Sequence, residues 1–279
     1  MAGLVKAWLE GNSRQLVWLA FEDYARTVFG NNHAAWYTEP MRHVAGLVDA
    51  NKVLGSQVVG FDFGAVFAAH AGLAADSEGA QRISALLDDA SVSTFCAKAI
   101  AAMTHQVDAT CDVVLQLPSP SRLLLILGED PSNINFDMLD DAASALAELL
   151  RDYAGAPVAG LVLAFIDNGI DPGDEAEACE VLQGVAAHYD WFFSLRMETT
   201  DLAEGLADLT ARLHLFPTIE AEKPDDAGTR IGGGLNRHFW VDGVLPASSG
   251  CCLYGDVPID LAPKLIAERA ASLRRNDAD

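Results

Sequence analysis

The sequence is short of positive charge. Eighteen Lys and Arg stand against 40 Asp and Glu, a formal net charge of −22. Nucleic-acid binding rests on clustered cations that displace counterions from phosphate, so that function class is excluded. The same deficit argues against docking on an anionic membrane surface. Long apolar runs are also missing: no stretch approaches the ~18 uninterrupted apolar residues of a membrane span. The opening segment, Met1 to Asn12, places Lys6 and Glu10 among apolar residues and lacks a secretory cleavage pattern. The expected location is therefore cytoplasmic. The acid excess implies a self-repelling surface, or an acidic subunit with a cationic partner.

Cysteine is sparse and irregular. The five cysteines, Cys96, Cys111, Cys179, Cys251 and Cys252, include no CxxC pair. That spacing excludes a closed four-cysteine zinc site and a disulfide framework, and fits reduced thiols. No Gly-x-Gly-x-x-Gly follows a strand-like run, and Gly232-Gly233-Gly234 opens no helix, so dinucleotide binding is excluded as well. No Walker motif and no internal repeat is present.

Apolar residues make up 51% of the 279 positions, enough for a sizeable core. Strand-like runs alternate with helical ones. The strands are expected at 57–63, 112–117, 122–128, 161–167, 191–196, 211–218 and 238–245. Helices are expected at 13–30, 36–54, 77–90, 92–107, 137–154, 173–189, 201–209 and 259–275, and a loop at 220–234. Alternating βα units imply a mainly parallel sheet. A (βα)8 barrel normally uses about 250 residues, which the length fits. The expected fold is an α/β TIM-type barrel, complete or incomplete, spanning 1–279, with 1–55 as an N-terminal helical segment packed on it. An open doubly wound parallel sheet is the alternative.

Chemistry in such folds gathers at the carboxyl ends of the strands. Asp62 lies among Val58, Val59, Phe61 and Phe63, where an unpaired carboxylate is costly. It is either a local cap or an acid/base residue whose pKa burial would raise. Asp167 and Glu198 close two further strand-like runs and join Asp62 as candidate catalytic acids. Cys251 and Cys252 stand before the last helix, either as small packing residues or as thiolates activated by a helix N-terminus. His214, in Leu213-His214-Leu215, is either a core histidine or a metal ligand.

Two regions together resemble the uroporphyrinogen decarboxylase superfamily. The first is Val17-Trp18-Leu19, followed by Val58-Val-Gly-Phe-Asp-Phe-Gly64, where Asp62 matches the aspartate that ends the family's first barrel strand. The second is Ser249-Gly-Cys-Cys-Leu-Tyr-Gly-Asp-Val-Pro258, which resembles the Ser-Pro-Gly-Cys stretch of the zinc-dependent methyltransferase branch, with Cys251 at the position of the zinc ligand. The resemblance implies a (βα) barrel enzyme that transfers or removes a methyl, alkyl or carboxyl group on a small substrate. In one version His214, Cys251 and Cys252 hold zinc, and a corrinoid or other carrier protein is a partner. In a metal-free version Asp62 moves a proton. The second thiolate of the branch's His-x-Cys is absent from Leu213-His214-Leu215-Phe216. The arginines of the decarboxylase branch are reduced to Arg26 within Leu19 to Arg26, which speaks against a multiply carboxylated porphyrinogen as substrate. The alternative is a non-catalytic ligand-binding or regulatory protein on the same fold.

Overall fold

The computed structural model describes residues 3–11, 15–77, 80–108, 110–199, 205–217, 229–244 and 252–275. Eight parallel strands form one sheet: β1 (Leu16–Ala20), β2 (Val58–Asp62), β3 (Asp112–Pro118), β4 (Gly160–Ala164), β5 (Phe192–Arg196), β6 (Leu213–Leu215), β7 (Arg230–Gly234) and β8 (Cys252–Asp256). The order β1-β8-β7-β6-β5-β4-β3-β2 brings the first two strands to the two edges. These edges then meet. Gln57 N–H donates to the Val17 carbonyl at 2.9 Å. Val17 N–H donates to Gln57 Oε1 at 2.7 Å, and Leu19 N–H to Ser56 Oγ at 2.9 Å. Side chains thus satisfy backbone donors that a strand ladder would otherwise pair. The result is a nearly closed α/β barrel of the TIM type, as expected from the alternation of elements.

Alternation along the strands sorts side chains into two layers. Leu16, Trp18, Val58, Val114, Val162, Phe192, Leu213, Leu215, Cys252 and Tyr254 form an inner cluster. Val17, Leu19, Val59, Phe61, Leu115, Leu117, Leu161, Leu163, Phe193, Leu195 and Leu253 face the opposite way, into the larger cluster beneath the helices. Gly160 and Gly232 mark crowded points inside. A Cβ on Gly160 would run into the Phe192 ring, and one on Gly232 would lie 2.8 Å from Leu215 and 3.1 Å from Cys252 Sγ.

The outer ring comprises α2 (Pro40–Leu54), α3 (Phe63–His70), α4 (Ala80–Leu87), α5 (Ala90–Gln106), α6 (Pro120–Ile126), α7 (Phe136–Arg151), α8 (Pro172–His188), α9 (Arg237–Asp242) and α10 (Pro263–Arg275). The helix that precedes them all, α1 (Leu4–Leu9), plugs the amino end of the barrel with Val5, Trp8 and Leu9. Asp112 at the start of β3 accepts from Val5 N–H at 2.8 Å and so fixes the plug to the wall.

Several expected elements are corrected. The helix expected over 13–30 contains β1, so the first 55 residues supply a barrel strand as well as helices. The run 238–245, expected as a strand, begins as α9, capped by Asn236, whose side chain accepts from His238 and Phe239 N–H. The expected strand at 122–128 falls within and just after α6, which Ser119 caps and Pro120 opens. The loop expected over 220–234 ends in β7, and the turn around Cys252 is β8.

Candidate active site

The carboxyl ends of the strands surround a cavity of about 480 Å³. Ala20, Asp62, Gln116, Arg196 and Asp256 reach it from β1, β2, β3, β5 and β8, while Glu22 and Arg122 enter from the segments after β1 and β3. This size suits a small molecule.

Asp62 closes β2 and caps α3. Its Oδ1 accepts from Ala65 N–H at 3.2 Å, and its Oδ2 from Gln116 Nε2 at 2.8 Å. Burial pushes its pKa up. The Arg122 guanidinium, the Ala65 N–H, Arg196 and the Gly64 N–H pull it back toward the ionised form. Glu22, in the helical turn Glu22–Tyr24, has weaker support, from the Tyr37 phenol and the Asp62 N–H. Both carboxyl oxygens are closed off from water and meet no hydrogen-bond partner of ordinary geometry. Burial pushes Glu22 well above the usual carboxylate range, and the neighbouring Asp62 charge pushes the same way. Both carboxyls of the pocket are shifted upward, Glu22 the further of the two, and Arg122 and Arg196 oppose the shift at Asp62. Environments that separate a pair of carboxyls in this manner assign the acid and the base. The phenol of Tyr37 stands beside Glu22. Its own pKa is raised, first by burial and then by the Glu22 charge.

The cations of the mouth are unequal. Arg196 Nε donates to Tyr254 Oη at 2.8 Å, and one of its terminal nitrogens reaches both oxygens of Asp256 at 3.0 and 3.1 Å. Tyr254 and then Asp256 hold its pKa above the usual value. Arg237 is bidentate on Asp260, at 2.7 and 3.0 Å. Among the described residues, the Arg122 guanidinium has neither a hydrogen bond nor an ion pair, although it lines the cavity and is half-buried.

The candidate residues read from the sequence do not all converge. Asp62 is in the mouth. Asp167 and Glu198 follow β4 and β5, are exposed, and do not line this cavity. His214 lies on the outer side of the wall, since Leu213 and Leu215 face inward; its ring is 6.5 Å from that of Phe216 in the outer cluster. Cys252 is buried inside the barrel at the first position of β8. Asp256 at the mouth lies four positions further along, about 13 Å of strand away. Cys251 lies outside the described residues. His214 and Cys252 therefore sit on opposite sides of the barrel wall and do not form the donor set of one zinc ion. Among the described residues, no group of three or more His, Cys, Asp or Glu is placed to hold a metal.

Sequence reasoning passed over Glu22, Arg122, Arg196 and Gln116. Glu22 was hidden because β1 read as part of a helix, and an acid on a helix face is unremarkable there. Arg196 was legible in principle, as the last residue of an apolar strand. Among the described residues, no helix is long and apolar enough to cross a membrane. No protein-family model and no curated protein matches the chain.

Proposed function

We propose that the barrel mouth is the active site of a decarboxylase-like lyase that acts on a small carboxylic acid without help from zinc at His214. The observation that carries this reading is the Glu22–Asp62 pair: two buried carboxyls in one mouth, Glu22 pushed the further toward its protonated form and Asp62 partly held back by Arg122, Arg196 and the Ala65 and Gly64 N–H groups. In the reaction, the bond between a substrate carbon and its carboxylate breaks and carbon dioxide leaves. The electron pair stays on the carbon and takes the proton of Glu22. Solvent then returns a proton to Glu22. Asp62, fixed by Gln116 and the Ala65 N–H, places negative charge beside the departing carboxylate and favours its conversion to neutral carbon dioxide.

The reading keeps the metal-free side of the resemblance to the uroporphyrinogen decarboxylase superfamily, in which a strand-ending aspartate, here Asp62, works in the barrel. It leaves the methyltransferase side without a donor set among the described residues. The test is carbon dioxide release from a panel of small carboxylic acids in heavy water, with the product analysed by mass spectrometry. The expected product carries one deuteron on the carbon that lost its carboxyl. Glu22→Gln is expected to lower turnover by about 10²- to 10⁴-fold while the protein remains folded. Tight binding of an acid with no carbon dioxide release and no deuteration would instead make the mouth a non-catalytic ligand site.

A further inference from the structure

We infer that Arg122 anchors a substrate carboxylate that survives the reaction, so that the substrate is a small dicarboxylic acid. This rests on reading the mouth as the site where a carboxyl group is lost.

Three guanidinium groups line the cavity, and two are already committed. Arg196 is held by Tyr254 and Asp256, and Arg237 by Asp260. Arg122 alone lacks a hydrogen bond or ion pair among the described residues. A guanidinium presents five N–H donors in a rigid fork. The fork is not closed off from water, so it is open to a ligand oxyanion entering the cavity. Planar, bidentate recognition is the geometry in which Arg excels for carboxylates and phosphates.

The surrounding charge distinguishes these two anions. Glu22, Asp23, Asp62, Asp256 and Asp260 line the same cavity. A dianionic phosphate would concentrate both charges at the Arg122 fork, whereas a dicarboxylate, also a dianion, places one charge there and the other at the reacting end. The anchor therefore suits a single negative charge. Arg122 also opposes the rise in the Asp62 pKa, so its charge is felt at the reacting end of the pocket. A ligand carboxylate on Arg122 would place the rest of a short chain toward Glu22 and Asp62.

The test is calorimetric titration of the purified protein with malonate, succinate, acetate and inorganic phosphate at fixed ionic strength. A dicarboxylate is expected to bind about tenfold or more tightly than acetate, the worth of one charge-assisted hydrogen-bonded pair. Arg122→Gln should remove that advantage, while Arg122→Lys keeps part of it and guards against simple misfolding. Glu22→Gln should leave dicarboxylate binding in place. Equal affinity for acetate and the dicarboxylates, tighter binding of phosphate, or unchanged dicarboxylate affinity in Arg122→Gln would each overturn the inference. The two readings fail separately. Dicarboxylate binding through Arg122 without carbon dioxide release sinks the lyase reading alone. Turnover in Arg122→Gln with an unaltered KM sinks the anchor alone.

Discussion

The Gln116 side-chain amide donates a hydrogen bond of 2.8 Å to Asp62 Oδ2, and the two residues face each other in register on β2 and β3. The amide is neutral, so it supports the carboxylate without supplying a competing charge. Replacing it with an apolar side chain of similar size removes a donor to the ionised form. Gln116→Leu is therefore expected to move the Asp62 titration to higher pH. Carbon-detected NMR of the Asp62 carboxyl reads this directly. A titration that stays in place would show that Gln116 positions Asp62 without setting its charge.

Glu22 connects the proposed chemistry to stability. Its pKa in the folded chain stands above the ordinary value of 4.5, first through burial and then through the Asp62 charge. The folded state holds this proton after the unfolded state has released it. The stability Glu22 contributes is complete below the unfolded value and is lost as pH rises through the folded one. Glu22→Gln carries no such proton. Urea denaturation between about pH 5 and pH 8 should show wild type weakening with rising pH more steeply than the variant. The variant is expected to be the more stable of the two at neutral pH. Parallel pH profiles would refute a buried, protonated Glu22.

His43 works in the opposite direction. It is fully buried on α2, with its ring 5.0 Å from Trp36, 5.8 Å from Phe61 and 5.5 Å from Phe95. Neither ring nitrogen meets a hydrogen-bond partner of ordinary geometry. Burial lowers its pKa from 6.5 to about 4. Below pH 6.5 the unfolded chain takes up a proton that the folded chain refuses, so stability is lost as pH falls toward 4. The loss is roughly 3 kcal/mol when complete. His43→Leu removes both the slope and the unsatisfied nitrogens. It should be at least as stable as wild type at neutral pH and clearly more stable at about pH 5. A destabilised variant with an unchanged slope would show that the imidazole has a partner after all.

The sequence and the fold agree where a strand carries its own apolar signal. The runs at 57–63, 112–117, 161–167, 191–196 and 211–218 overlap β2 to β6, and in β2 to β5 Val, Leu and Phe occupy both faces, as burial inside a barrel demands, while β6 sets inward Leu213 and Leu215 around an outward His214. β7 was illegible for a physical reason. Arg230-Ile-Gly-Gly-Gly234 has almost no side chains, and the space beside Gly232 is filled by Leu215 and Cys252 from the neighbouring strands. Its extended form is imposed by its partners. α9 shows the converse, since Phe239 and Trp240 look strand-like until Asn236 is recognised as a cap. Of the mouth, Asp62 was visible as a carboxylate in an apolar strand. Arg122 was not, because its value comes from lacking a partner that Arg196 and Arg237 possess, and pairing is a property of the folded chain.

Two glycines predict opposite outcomes for the same substitution. Gly255 lies in β8, between Tyr254, which binds Arg196, and Asp256, which pairs with it. A Cβ there would overlap the Leu235 carbonyl and sit 2.7 Å from its carbonyl carbon, which is backbone and cannot swing aside. Leu235 is itself tied to β8, its N–H donating to the Tyr254 carbonyl at 3.0 Å. Gly255→Ala must therefore shift β8 or the segment after β7, at a cost of about 2–3 kcal/mol. That shift also disturbs the Arg196 pair at the mouth. Gly184 is exposed within α8 and has nothing near its missing Cβ. Gly184→Ala removes backbone freedom from the unfolded chain without a clash and is expected to stabilise by about 0.5–1 kcal/mol. Chemical denaturation of the two variants beside wild type measures both effects. If Gly255→Ala proved as stable as wild type, β8 and the segment carrying Leu235 would not approach each other as closely as the barrel requires, and the placement of Tyr254 and Asp256 around Arg196 would fail with it.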